Sequence, residues 1–491
     1  MNQLILLIIL PLLGAFLMPI LQRLSAALAY WSGPLILLLT CMLGLNFWPQ
    51  LAAGPQALAI GGFRPPLGIT LYADYIALLF VLALHLGCLL FWTAWDNGAD
   101  AVRRRALSLL MVAAGSGMAL SGDLFNIYVF YELLAVATYG LVIGSASAAA
   151  YASAIRYLVI SAFGAAMILL GIALIYSATG TLNLAQLAQL APAQLDNAQG
   201  MTAFILMLVG FGVKAELFAV NSWVPEVYST APRRLAALMA GVVSKLALLI
   251  ILRLLVLLFP YPESYQVLMV LGILGVITGE LAAYRSQDVA RMLAYSSIAQ
   301  LGIIFIAFSI PGEAGIIAGL AVALHHMLVK PGLFLLAHRW GGSVSRLAGA
   351  GRASPLAAAM FVLLALSAVG VPPLPGFWAK LLVIMPLAGQ GAGLSLFALA
   401  VILLAVVLEV GYLFRVVSVL YRSDREQPAI SRHNLSNMVT TGALSLTLLI
   451  SIVMLPELNA QLELFAGQFA DVRQYIETVA PAALRVSEVA L

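Results

Sequence analysis

Apolar residues along this chain gather in runs of about twenty, the length a helix needs to cross the hydrocarbon core of a bilayer. The runs lie near 3–21, 28–48, 72–95, 106–121, 124–144, 152–177, 201–220, 234–258, 264–284, 291–310, 314–338, 355–385, 393–420 and 437–456. They predict fourteen membrane helices. The first has no basic segment before it and no small-residue cleavage motif after it, so it reads as a retained span rather than a signal peptide. The longest polar stretches, 49–71, 179–200 and 458–491, leave no room for a soluble domain. Within the second, TLNLAQLAQLAPAQLDN places leucines at helical spacing and predicts a short surface helix. The tail alternates acidic and apolar residues and predicts an amphipathic interfacial helix.

The charges between the runs test this count. Loops that follow odd-numbered helices hold Arg23; Arg103, Arg104 and Arg105; Arg156; Arg233 and Arg234; Arg285 and Arg291; Arg339, Arg346 and Arg352; and Arg422, Arg425 and Arg432. Loops that follow even-numbered helices hold Arg64 alone. By the positive-inside rule the odd loops are cytoplasmic and both termini lie outside, as expected in a bacterial inner membrane. Arg473 and Arg485 in the tail weigh slightly against this orientation.

Composition narrows the function. Hydrophobic residues make up 63% of the 491 and charged residues 9%, against about 25% charged in soluble domains. A net charge of +4 from 24 basic and 20 acidic residues is too small a surplus for a nucleic-acid binder. Cys41 and Cys88 lie inside apolar runs and form neither a zinc motif nor a disulfide framework. No phosphate-binding loop, dinucleotide fingerprint, HExxH or GxSxG occurs, and no histidine pair is evidently spaced for haem. The chain is expected to carry no metal and no cofactor, and to draw its energy from an ion gradient or a partner.

The candidate chemistry lies inside the membrane. All four lysines, Lys214, Lys245, Lys330 and Lys380, fall within predicted spans, while the loops use arginine. Each buried charge costs roughly 2.5–3.5 kcal/mol on insertion scales, so such residues need partners or a function. Lysine can release its proton when desolvated, whereas arginine stays charged. Glu132, Glu216, Glu409, His325 and His326 accompany them. Lys330 follows His326 by one turn, and Pro331 weakens the helix there. GVPPLPGFWAK interrupts the helix ahead of Lys380, which membranes tolerate only where protein or water satisfies the freed backbone groups. A single Glu–Lys pair could instead be a clamp between helices. His85 reads as a satisfied core histidine, Asp123 as a helix cap, and Glu280 as an interfacial acid within reach of Arg285. Arg415 is expected to pair with Glu409 or another acid.

With these residues in place a resemblance becomes specific. FNIYVFYELLAVATYG, GFGVKAELFAVNSWVPEVYSTAP, RMLAYSSIAQLGIIF, HHMLVKPGLFLLA and PPLPGFWAK resemble, in order and over nearly the whole chain, the antiporter-like family. That family includes the D-type subunit of Mrp multisubunit Na+/H+ antiporters, the large pumping subunits of respiratory complex I, and counterparts in membrane-bound hydrogenases. The resemblance implies an all-α fold with two inverted five-helix repeats, helices 4–8 and 9–13, in which helices 7 and 12 are broken. The chain would then divide into 1–105 (helices 1–3), 106–258 (a first half channel), 264–420 (a second half channel) and 421–491 (helix 14 and the tail). It implies other subunits of a heteromeric complex, H+, Na+ and the lipid bilayer as partners.

Residue by residue, the resemblance implies Glu132 and Lys214 as a charge pair, Lys245 as central relay, His325 or His326 as connector, with Lys330 nearby, and Lys380 as terminal lysine. Where the family has Pro and His ahead of the tryptophan, Ala219 and Asn221 stand here, and asparagine does not titrate. Glu216 could replace that histidine or bind Lys214 more tightly, and Glu409 could serve an outlet or a cation. Lys380 argues against the complex I subunit type with glutamate at that place, and the short tail against the largest type. SGDLFNIYVFYE is closer to the Mrp and hydrogenase branch. The chain therefore resembles the Mrp D-type subunit first, with a complex I-like or hydrogenase pumping subunit as the alternative.

Overall fold

In hydrocarbon every peptide N–H and C=O must find its partner within the chain, which leaves helices as the means of crossing. The computed structural model describes residues 3–63, 65, 68–92, 100–145, 147–340, 342–391, 393–422 and 435–479. It begins with α1 (Gln3–Leu24), α2 (Ala26–Phe47), α3 (Tyr75–Leu90), α4 (Ala101–Leu120), α5 (Leu124–Val142) and α6 (Ala148–Thr179). Shorter pieces follow as α7 (Leu184–Gln194), α8 (Ala198–Lys214), α9 (Val224–Thr230), α10 (Arg233–Leu238) and α11 (Ser244–Leu257). Then come α12 (Pro262–Arg285), α13 (Val289–Phe308), α14 (Glu313–Trp340) and the one-turn α15 (Ala350–Ala353). The chain closes with α16 (Pro355–Val369), α17 (Pro375–Gln390), α18 (Gly393–Tyr421), α19 (Leu435–Val453), α20 (Leu455–Ala470) and α21 (Val472–Val479).

Each predicted run holds a helix or a pair of them, although the run at 72–95 begins in a strand, forms helix only over Tyr75–Leu90, and has its last three positions outside the described residues. Among the described residues, 10 helices are unbroken, apolar and long enough to span a membrane. The run at 201–220 is helical only to Lys214, and α9 starts beyond its predicted end; that at 355–385 is interrupted at 370–374, between α16 and α17. The run at 234–258 contains a π turn, Met239–Val243, that joins α10 to α11. Pro331 departs from expectation, because α14 continues through it without a break. Arg64, Arg425, Arg432 and Arg485 of the loop count lie outside the described residues.

A two-stranded antiparallel ribbon, β1 (Gln56–Ala59) and β2 (Thr70–Ala73), occupies the first polar stretch, with Gln56 opposite Ala73. Helix α7, capped by the Asn183 side chain, buries Leu184 and Leu187 on its apolar face. Asp123 caps α5 as predicted, accepting from Asn126 N at 2.9 Å, and Asp288 caps α13 in the same way, from Arg291 N at 2.9 Å.

The helices gather in two compact units. One holds Met1–Ala215, Val242–Ser264 and Phe465–Leu491; the other holds Glu216–Gly241 and Tyr265–Leu464. In the first, an arginine that the sequence reading did not single out lies within a span. Arg253 of α11 is 2% exposed and its Nη2 meets Asp74 Oδ2, the α3 cap, at 2.9 Å. Its guanidinium lies 5.1 Å from the ring centres of Tyr72 and Phe469 and 5.6 Å from that of Tyr475. Gln468 accepts from Tyr75 N and donates to Leu51 O, so the C-terminal segment is tied to this unit at three places in the sequence. Breaking a buried pair by removing one partner costs about 3–5 kcal/mol. Arg253→Met is therefore expected to lower the melting midpoint of the purified complex and to expose the tail to protease. A tail as resistant as wild type would show that the pair does not hold it.

Candidate functional site

In the first unit the site forms where α8 ends. Lys214 is the last residue of that helix and is 2% exposed. Its Nζ donates to Tyr157 Oη at 3.4 Å and Ser161 Oγ at 3.5 Å, both on α6. It also stands 4.6 Å from the centre of the Tyr131 ring and 5.4 Å from that of Tyr157. Two hydroxyls and two aromatic faces therefore solvate the ammonium. Glu132, the next residue after Tyr131 on α5, acts on Lys214 electrostatically without a direct ion pair. Its Oε1 is buried and makes no hydrogen bond among the described residues. The sequence pairing of Glu132 with Lys214 thus corresponds to a neighbourhood, with the pair held open.

Lys245 is fully buried on α11, just beyond the π turn, and donates to Ser244 Oγ at 3.1 Å. Such turns widen a helix by one residue and recur at functional positions. No sequence signal announced it. Gly241 within it is pressed against the Pro331 ring, where a Cβ would overlap the Pro331 side chain.

The second unit brings most of the remaining candidates together. Lys380 of α17 meets Glu409 Oε2 of α18 at 2.7 Å, both buried. It also donates to the carbonyls of Ala368 and Val369 at 2.7 and 3.0 Å. Those carbonyls end α16 and lack helical partners because Gly370 breaks the helix. The break thus presents negative dipole ends to the lysine. Gln300 of α13 donates to both oxygens of Glu409, at 3.0 and 3.1 Å. Arg415, expected to reach Glu409, donates instead to Ser286 O at 2.7 Å.

On α14 the three ionisable groups point to different neighbours. His325 Nε2 lies 2.9 Å from Ser367 Oγ on α16, and His326 Nε2 lies 3.3 Å from Ser297 Oγ on α13. Lys330 Nζ donates to Ser296 Oγ at 2.5 Å, and Tyr412 Oη donates to the same oxygen at 2.8 Å. Gly376 at the start of α17 is needed here, since a Cβ would strike the His325 ring and the Ser367 carbonyl. Glu216 stands at φ +58° in the segment after α8, a left-handed conformation uncommon for a side-chain-bearing residue. Its Oε1 accepts from Tyr228 Oη at 2.6 Å, and Asn221 Nδ2 donates to its main-chain oxygen at 3.1 Å. Asn221, at the place of the family's histidine, thus braces the broken backbone.

Sequence reasoning missed several members of this site. Ser296 and Gln300 lie within RMLAYSSIAQLGIIF, but nothing in that motif gave their side chains a role. Glu280 is corrected: it is 1% exposed and shares its surroundings with Glu409, Lys380 and Lys330, not with the interface. His85 is the core histidine expected, its Nδ1 2.8 Å from Val81 O.

Comparison with known proteins places this geometry. Residues 121–410 match the family described as NADH:quinone oxidoreductase/Mrp antiporter, TM. The chain is 33% identical over 389 residues to the N-type subunit of NADH-quinone oxidoreductase from Desulforudis audaxviator, covering 76% of this chain and 77% of that one. It is 29% identical over 397 residues to the D-type subunit of the Na(+)/H(+) antiporter from Bacillus subtilis, covering 77% and 79%. Among solved structures, a chain of the membrane-bound sulfane sulfur reductase, an archaeal respiratory membrane complex, superposes with a TM-score of 0.89 at 29% identity, covering 98% and 100%.

Proposed function

The chain belongs to the NADH:quinone oxidoreductase/Mrp antiporter transmembrane family, and from that premise we propose that it is the proton-translocating, antiporter-like D-type subunit of a multisubunit monovalent cation (Na+)/H+ antiporter. It lies in a bacterial inner membrane with both termini outside, as the arginine distribution indicates. Residues 106–258 and 264–420 form its two half channels. Protons pass by way of Glu132, Lys214, Lys245, His325, His326, Lys330 and Lys380 with intervening water, with Glu216 at the uptake side and Glu409 at the outlet.

The observation that carries this reading is the setting of Lys214. A lysine buried in the membrane among hydroxyls and aromatic faces, with its acid near but unbonded, is a group whose charge a small movement of Glu132 can alter. The physical cycle follows. Approach of Glu132 favours the ammonium; withdrawal leaves desolvation unopposed and releases the proton toward the next base. Chains of ionisable groups at membrane depth serve proton relays in pumps and transporters.

A second reading is a pumping subunit of a redox enzyme of the complex I or hydrogenase kind, with electron transfer on partner chains. It is favoured by the 33% identity to an NADH-quinone oxidoreductase subunit. Everted vesicles carrying the full complex separate the two. A pH-sensitive dye responds to added sodium in the antiporter, and to a reduced electron donor without sodium in the redox pump. Lys245→Ala is expected to abolish whichever signal appears. An unchanged signal in an assembled complex would remove Lys245 from the path.

A further inference from the structure

Glu280 is a buried ionisable group to which the path above assigns no step. It lies on α12 and is 1% exposed, and among the described residues its carboxyl forms no salt bridge, the Tyr412 hydroxyl being the hydrogen-bonding group beside it. The groups that act on it are Glu409 and Tyr412 from α18, Lys380 from α17 and Lys330 from α14. Each of these has other commitments. Lys380 holds Glu409 at 2.7 Å, while Lys330 and Tyr412 both donate to Ser296 Oγ, at 2.5 and 2.8 Å. A carboxylate with no cation bound to it is strongly disfavoured at membrane depth, whereas a carboxylic acid carries no such penalty of charge. Two carboxyls crowded around the same cations are also driven to hold a proton between them.

We propose that Glu280 is a further proton-carrying residue, holding a proton while Lys380 is bound to Glu409 and yielding it when that bridge opens. The proposal rests on the proton-translocating reading above. In the step, Lys380 first passes its proton to the outlet and becomes a neutral amine. The O–H bond of Glu280 then breaks, an N–H bond forms on Lys380 directly or through water, and a carboxylate faces an ammonium. Glu280 regains its proton from the Lys330 ammonium, which is recharged from the inner side. No electrons move, and the net charge of the cluster changes only as protons enter and leave.

Infrared spectra of the purified intact complex, recorded in water and after exchange into heavy water, test this through the carbonyl stretch of a protonated carboxylic acid. That band is expected in wild type and in Lys214→Ala, and absent from Glu280→Gln. Proton movement in vesicles is expected to fall about a hundredfold in Glu280→Gln, the scale of a lost proton-transfer group, and to recover in Glu280→Asp. An unaltered band in Glu280→Gln, or wild-type transport by it, overturns the proposal. Should Glu280→Gln fail to assemble, a shifted band in Glu280→Asp supports the proposal and an unmoved one overturns it. Failure of the wider reading shows differently, as a wild-type complex that moves no protons under either drive, and the band then still decides whether Glu280 holds a proton.

Discussion

Lys214→Ala is expected to abolish proton movement in everted vesicles, by about a hundredfold or more, while the complex still assembles. The separation of the two effects follows from geometry. Lys214 holds Tyr157 and Ser161 at 3.4 and 3.5 Å, long contacts whose loss strands no tightly bonded partner. Glu132 is not bonded to the ammonium, so truncation breaks no direct ion pair between them. The proposed proton path, by contrast, loses a titrating group. Lys214→Arg sharpens the test, because a guanidinium keeps the charge and does not release a proton. If arginine restored transport, Lys214 would act as a fixed charge and the proton would travel elsewhere. Native gel mobility of the complex reports assembly independently.

The second large effect concerns Lys380 and Glu409. Here the contact is a buried 2.7 Å bridge, and single substitutions should damage the fold as well as transport. Lys380→Met leaves Glu409 with Gln300 as its remaining bonded partner, and an uncompensated buried charge costs about 3–5 kcal/mol. Glu409→Leu strands the ammonium against the carbonyls of Ala368 and Val369. The double variant Lys380→Met/Glu409→Leu removes both charges and is expected to recover most of the lost thermal stability, because apolar replacements of a buried pair are often neutral or better. Transport should remain lost. Additive losses of melting midpoint in the double variant would show that the two residues are energetically independent.

On the proposed path the two lysines take different parts. Lys214 is held open beside its acid, in a setting that responds to small movements. Lys380 is held closed, at a helix break whose free carbonyls add to the bridge. An open pair is suited to being pushed and a closed pair to retaining charge until released, which is the order a directional relay requires.

Much of this was legible in the chain. Hydrocarbon forces backbone bonding to be local, so run length marks the helices, and each of the fourteen runs holds a helix or a helix pair among the described residues. Arginine placement follows from the cost of moving charge across a membrane, and the two interrupted helices were announced by motif and proline. The lysines stood out because charge within an apolar run has few explanations. Arg253 escaped notice because its partner Asp74 and the aromatic rings of the tail lie far away in sequence.

What tertiary structure alone decided is which of these groups meet. Glu280 reads as an interfacial acid by its place near a helix end, but the rotation of α12 directs it inward to Glu409. Arg415, three residues along from Tyr412, turns away to Ser286. Periodicity marks which positions are apolar, and in a membrane both lipid and protein interior are apolar, so it cannot say which face looks inward. Pair distances are likewise beyond it: the open setting of Lys214 and the closed bridge of Lys380 differ by ångströms that depend on helix breaks, a π turn and the packing of distant segments. Run length and charge cost are local properties and are written in the sequence. Facing and distance arise only when helices remote in the chain pack against one another.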